Sequence, residues 1–395
     1  MEIMGARIRV KGSSKYTSMF SQQGRKGKNQ DATTVWENFA GREDAIFCGV
    51  FDGHGPLGHK VAQNVHNNLP SKLSSTLKHS HIDRISMKND VNSDDNVYDS
   101  VKKIILEAFK GMDEDLEVDD VVDSFFSGTT AVSVLKKGRH LFLANLGDSR
   151  AVLCTRDSKD KLRPVQMTVE MKPNLPSEFE RIRKCKGRVL PIEAEPSVHR
   201  VWRPEQDSPG LAMSRAFEDF CLKDFGLISV PEICYRKLTA KDEFLVLATD
   251  GIWDVLSNED VIRIVSSASN RSVAARLLVA KAVRAWRYKY PNSRIDDCAA
   301  ICLFFKREAP HIPKSMSEKT HFSLDNSQLS PGREHGDLAT EDGRETVLNC
   351  EMPTRRDPIN RRHLATIHEE KYTKLNYASA ETHRYGHILQ KSTWI

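Results

Sequence analysis

Four acidic positions, each at one end of a short apolar run, have the residue types and placement to do chemistry. Asp52 follows AIFCGVF and Asp250 follows FLVLAT, and each is followed by glycine. Asp148 lies between HLFLANLG and RAVLCT, and Asp296-Asp297 precedes AAICLFF. A single Asp-Gly is most simply a turn. Carboxylates gathered on one rim, where strands of a common core end, would repel one another strongly unless cations neutralised them. Hard carboxylate oxygens suit Mg2+ or Mn2+. A glycine after the acid lets the backbone turn sharply or approach a ligand closely.

The elements that must carry these acids are legible as strands over 45–51, 130–135, 140–147, 150–155, 244–249 and 299–305, with KKGR joining the second and third as a hairpin. Val101, Ile104, Ile105, Ala108, Phe109 and Met112 recur at helical spacing, with Ser100 expected as the cap. Ser177-Glu178-Phe179-Glu180 reads as a capping box, with Gly187 as the stop of that helix. Ser257 to Asp260 opens another helix, and 272–288 forms a third with Arg284 and Arg287 near its C-terminal end. Strands in hairpin succession with helices between the blocks predict an α+β fold built on antiparallel sheets.

The strings around the acids are distinctive. GRKGKNQDA (24–32), VFDGHGPLGHKVA (50–62), SGTTAVSV (127–134), ANLGDSRAVL (144–153), LAMSRAF (211–217), VLATDGIWDVLSNEDV (246–261) and DDCAAICLF (296–304) stand in this order. In that order the chain resembles the type 2C, metal-dependent Ser/Thr protein phosphatases, most closely their plant branch, from about Tyr16 to Phe305. The resemblance implies two packed antiparallel sheets flanked by helices on both outer faces, a four-layer α-β-β-α sandwich. It implies hydrolysis of phosphoserine and phosphothreonine by a metal-activated bridging hydroxide, without a phosphoenzyme.

Residue by residue, the resemblance makes Asp52 the bridge between two Mg2+ or Mn2+ ions, with Gly53 supplying a backbone carbonyl. Asp250 would bind the second metal, and strand register selects Asp296 as the last ligand, with Asp297 as the fallback. Asp31 falls in the inner or water-mediated shell, and Asp148, with Asp250 and Asp254, at a weaker third metal position. Lys26 would hold the phosphate oxygens, with Arg25 as the alternative, and His54 would be the general acid. Gln30 stands where some members carry a second acid, and Glu218-Asp219 where relatives have Gly-Asp. If that glycine has positive φ, glutamate strains the turn by about 1 kcal/mol or more. These departures motivate a second expectation, a catalytically impaired relative that binds and sequesters a phosphoprotein or kinase. The segment 172–210 is expected to shape substrate access.

Composition bounds the rest. With 395 residues, 39% hydrophobic and 29% charged, the chain is not collagen-like, wholly disordered or a disulfide scaffold. No apolar run reaches the ~18 to 20 residues of a bilayer span, so no stable membrane insertion is expected. Nor does the N-terminus carry a signal-peptide core. Eight scattered cysteines without a CxxC pair read as reduced thiols, placing the protein in the cytoplasm and/or nucleus. A net charge of +5 with no basic stripe argues against nucleic acid. The expected partners are phosphoprotein substrates, a kinase among them, for a monomeric chain. Residues 1–15 read as an N-terminal extension and 16–306 as the phosphatase domain, with a polar insertion at about 71–97. Residues 307–395 read as a disordered tail. The acidic run from Asp113 to Asp120 lacks the glycine and terminal glutamate of a calcium loop, and reads as a solvated helix end.

Overall fold

The computed structural model describes residues 7–8, 12–13, 16–79, 93–118 and 125–305. The expected tail and the middle of the expected polar insertion lie outside them. One antiparallel sheet runs in the order β1 (Arg7–Ile8), β4 (Asp31–Glu37), β5 (Ala45–His54), β7 (Ala131–Lys137), β8 (His140–Leu146) and β14 (Glu232–Lys237). Two short strands extend it from β5: β6 (Gly128–Thr129), and β13 (Phe217–Glu218) beyond that. The second antiparallel sheet runs β10 (Leu162–Gln166), β9 (Arg150–Arg156), β15 (Asp242–Ala248), β16 (Cys298–Phe304), β3 (Thr17–Gln22) and β2 (Gly12–Ser13). A separate ribbon pairs β11 (Arg188–Ile192) with β12 (Glu195–Trp202). The helices are α1 (Gly58–His79), α2 (Ser93–Glu117), α3 (Pro176–Lys184), α4 (Phe220–Lys223), α5 (Asp250–Trp253), α6 (Asn258–Ser266) and α7 (Ala274–Lys289).

The period-2 alternation of side chains sorts these elements into four layers. On β5, Phe47 and Phe51 pack with Val65 and Leu69 of α1 and Phe109 of α2. Cys48 and Val50 face the opposite way, against Leu245, Leu247 and Ile301 of the second sheet. The outer face of that sheet, including Val246 and Ala300, packs on Val261 of α6 and on Leu278 and Trp286 of α7. This is the expected α-β-β-α sandwich. Strands such as β8 and β16 are buried along their whole length, and β16 is correspondingly apolar throughout.

Helix ends depart from expectation in three places. Ser100 lies inside α2, which begins at Ser93. Helix α3 starts with Pro176, whose fixed φ suits a first turn, after Leu175, which offers no side-chain cap. Glu178 of the expected capping box turns inward instead and is buried against Arg181, Ser214 and Arg215. The left-handed residue ending this helix is Lys186, φ 65°. Gly187 follows it because a Cβ there would lie 2.4 Å from the Phe225 carbonyl oxygen. Helix α6 opens at Ser257–Asp260 as expected, and it does so through a capping box in which Ser257 and Asp260 bond each other's amides. Residues 71–79 of the expected insertion are the last turns of α1, with Leu73 and Ser74 buried.

Candidate active site

The expected acids meet where the two sheets end together. Asp31 opens β4 directly opposite Asp52 near the end of β5, so the two carboxylates start from neighbouring positions on adjacent strands. Asp250 begins α5 one residue after the end of β15, and Asp148 sits between β8 and β9. Trp253 Nε1 donates to the Ala248 carbonyl at 2.8 Å, and Trp286 Nε1 donates to that of Gly251 at 2.7 Å. The two indoles thereby fix the turn that presents Asp250. Gly53 and Gly251 are required for backbone proximity rather than for a left-handed turn. A Cβ on Gly53 would lie 2.3 Å from the Gly58 carbonyl oxygen, and one on Gly251 1.9 Å from that of Asp297.

Asp296 and Asp297 separate clearly. Both oxygens of Asp297 accept backbone N–H groups of the 24–30 loop, Gly24 at 2.7 Å and Gln30 at 2.8 Å. Asp297 therefore braces that loop. Asp296 faces the cluster, with Lys26 Nζ at 2.6 Å from its Oδ2. Arg25 is exposed, and its amide bonds the Ile295 carbonyl at 2.7 Å. Gln30 turns its side-chain oxygen toward Gly58, where a Cβ would meet it at 2.2 Å.

The cluster is electrostatically frustrated. Burial, then repulsion from Asp297 and Asp296, pushes the Asp31 carboxyl well above the usual range, although Thr249 Oγ1 donates to it at 2.9 Å. Burial and the neighbouring Asp31, Asp250, Asp296 and Asp148 do the same to Asp52. Burial with Asp296, Asp254 and Asp148 raises Asp250. Asp254, open to solvent at the rim, is pushed up to about 6 by partial enclosure of its carboxyl and by nearby acids, against the opposing pull of Lys172. Two lysines offset part of this charge. Burial would push Lys26 down, but Asp296, Asp250 and Asp52 hold it above its ordinary value. Lys172 lies 2.6 Å from Asp148 Oδ2, and that carboxylate outweighs burial to raise it likewise.

The donor set suits hard divalent cations. Asp31 Oδ1 and Asp148 Oδ1 are buried without a hydrogen-bond partner, a costly condition that a cation would relieve. Among the described residues, no three acidic, His or Cys side chains yet converge on one metal-sized point. Lys26 holds Asp296 Oδ2 and Lys172 holds Asp148 Oδ2, which leaves Asp148 Oδ1 open to an ion.

His54 ends β5, and its Nε2 lies 2.6 Å from Asp219 Oδ2, both side chains almost fully buried. Burial alone would lower the imidazole, but the Asp219 carboxylate beside it holds it above the ordinary histidine range. Glu218 does have positive φ, 60°, and Asp219 follows at 50°. Asp113 is more than a solvated helix end: it accepts the Glu218 N–H at 2.8 Å and Lys223 Nζ at 2.6 Å. Sequence reasoning missed the partners Lys172, Asp219, Asp113 and Thr249, because nothing local marks a contact made across the fold.

The family model "Protein phosphatase 2C" matches residues 17–291. Among curated relatives, "Probable protein phosphatase 2C 33" of Arabidopsis thaliana is 53% identical over 338 residues, covering 75% of this chain and 69% of its own. "Probable protein phosphatase 2C 73" of Oryza sativa subsp. japonica is 55% identical over 303 residues, covering 73% and 72%. The crystal structure of serine-threonine phosphatase 2C from Toxoplasma gondii shares the fold, with TM-score 0.69 at 23% identity over 76% of this chain and 99% of that one.

Proposed function

Since the chain belongs to the protein phosphatase 2C family and is a metal-dependent protein Ser/Thr phosphatase, we propose that it hydrolyses phosphoserine and phosphothreonine in one step, water attacking phosphorus without a phosphoenzyme. The observation that carries this reading is the buried cluster of Asp31, Asp52, Asp148, Asp250 and Asp296, with Lys26 on Asp296 and His54 two residues after Asp52. Asp52, with Asp31, Asp250, Asp296 and the Gly53 carbonyl, would hold two Mg2+ or Mn2+ ions, and Asp148 with Asp250 and Asp254 a weaker third. Bound there, such ions lower the pKa of water toward neutrality and neutralise phosphoryl oxygens. Lys26, now on Asp296, would exchange that carboxylate for a phosphate oxygen, acting as a point charge. His54 would give a proton to the departing serine or threonine oxygen, directly or through one water, a step typically worth about 10² to 10⁴-fold.

Phosphoproteins, a kinase among them, are the proposed substrates. The described cysteines are free thiols, which supports the proposal of a reducing compartment, cytoplasm and/or nucleus. The test is phosphate release from phosphoserine and phosphothreonine peptides by full-length protein with Mn2+, with Mg2+ and after chelation. Release should stop on chelation and return with either ion. Turnover that persists in chelator would overturn the metal assignment, and phosphate trapped covalently on the protein would overturn the one-step reading.

A further inference from the structure

His54 is held by an unusual piece of backbone. It pairs across β5 and β6 with Gly128, and Gly128 pairs in turn with Glu218 of β13. The next residue, Asp219, returns its carboxylate to the His54 ring. Glu218 and Asp219 are consecutive non-glycine residues in the left-handed region, which L residues rarely enter without surroundings that hold them there. Here the surroundings are specific. Asp113 accepts the Glu218 N–H, and Lys223 fixes Asp113 from its other oxygen. The Asp219 N–H donates to the Ser127 carbonyl at 2.9 Å, while its own carbonyl accepts from Leu222 at 2.8 Å. Gly128 leaves the necessary space, since a Cβ there would lie 2.2 Å from Asp219 Oδ2. Three segments far apart in sequence are therefore shaped around one carboxylate–imidazole contact.

We propose that Asp219 is a positioning residue for phosphate-ester hydrolysis, fixing the His54 ring so that Nδ1 carries the proton delivered to the leaving oxygen. This rests on the reading of His54 as the acid. A carboxylate that accepts from Nε2 fixes the tautomer and orientation of the ring. Nδ1 has no partner among the described residues and is the nitrogen left for transfer once the leaving oxygen or one water comes within reach of it. In that step the phosphorus–oxygen bond to the serine or threonine breaks as the Nδ1–H bond breaks. The alcohol departs neutral, and the imidazole is left neutral with Nε2–H still on Asp219.

Leaving-group chemistry tests this. An alkoxide leaves poorly without a proton, whereas p-nitrophenolate needs none. Full-length Asp219→Asn, His54→Gln and the double variant are assayed with a phosphothreonine peptide and with p-nitrophenyl phosphate. Asp219→Asn should lower kcat on the peptide about tenfold more than on the aryl ester, at similar KM, and should add no loss in the His54→Gln background. The downfield imidazole proton of a histidine–carboxylate pair should appear in proton NMR spectra of the wild type and vanish in Asp219→Asn. Should that variant not fold, Asp113→Ala, which loosens the turn without touching the ring, should show the same selectivity. Equal losses on both substrates, or additive losses in the double variant, would overturn the assignment of Asp219. If His54→Gln itself slows both substrates equally, the acid role of His54 falls, and this inference with it. If His54→Gln is selective and Asp219→Asn is not, only this inference falls.

Discussion

Replacing Asp52 by asparagine removes one charge from the most crowded part of the acidic rim while keeping the shape of the side chain. Asp52 stands directly opposite Asp31 on adjacent antiparallel strands, a placement that separates Cβ atoms by about 5 Å. Two full charges at that distance repel by about 3 kcal/mol at an effective dielectric constant of 20. Proton uptake by the raised carboxyls has already relieved part of this, so the metal-free variant should be more stable than wild type by about 1–2 kcal/mol near pH 7.5. The sign follows from linkage. A carboxyl raised in the folded state contributes stability that is complete below its unfolded pKa, near 4, and is lost as pH rises through the folded value. For Asp254 that value is about 6, and for Asp31, Asp52 and Asp250 it is well above the ordinary one. Metal-free wild type should therefore lose stability as pH rises from about 4, and Asp52→Asn should lose less. Added Mn2+ reverses the order, because an ion at about 100 times its Kd stabilises by about 2.7 kcal/mol, and the variant lacks the proposed bridging ligand. The assay is thermal melting of both proteins in chelator and in Mn2+, alongside phosphopeptide turnover, which should fall at least about a hundredfold. An Asp52→Asn protein that melts below wild type in chelator, or that keeps the wild-type Mn2+ shift and turnover, would refute the electrostatic argument.

Glu178 supplies the opposite pH signature. Burial would raise its carboxyl, but bonds from Arg215, Arg181 and Ser214 bring it down to about 2 from 4.5. That shift corresponds to stability on the order of 3 kcal/mol, present above pH ~4.5 and lost as pH falls toward 2. Glu178→Gln should thus lower the urea midpoint clearly at pH 7 and little near pH 2; an unchanged midpoint at pH 7 would rule out this role for the buried hub. Glu218→Gly removes left-handed strain of about 1 kcal/mol or more but adds chain entropy to the unfolded state. Its stability should stay within about 1 kcal/mol of wild type, and its phosphopeptide turnover should change less than about threefold, because Asp219 keeps its place on His54. A large gain in rate would mark the natural chain as impaired.

Much of this protein was legible in sequence. The run 45–51 lies within β5 and all but the last residue of 244–249 within β15, and the acids that follow them lie near the strand end or just beyond it, because period, apolarity and the Asp-Gly punctuation are local properties. Helix starts were legible only where the cap itself decides. Ser257 with Asp260 closes a capping box, whereas the similar string at Ser177 does not, since Arg181 and Arg215 claim Glu178 in the interior.

The apolar periods by themselves implied an α+β fold on antiparallel sheets, and the ordered strings, through the family they resemble, implied the four layers and pointed to the acids that stand on the rim. Only the tertiary structure decided which acid contacts what. Asp296 and Asp297 are adjacent and chemically identical, and they part company because the 24–30 loop, some 270 positions away, offers its amides to one and its lysine to the other. His54 meets Asp219 across 165 positions, and Lys172 reaches Asp148 across 24. The strength and geometry of such contacts depend on distances of a few tenths of an ångström and on local burial. Both are set by how the sheets pack, and no pattern along the chain encodes them.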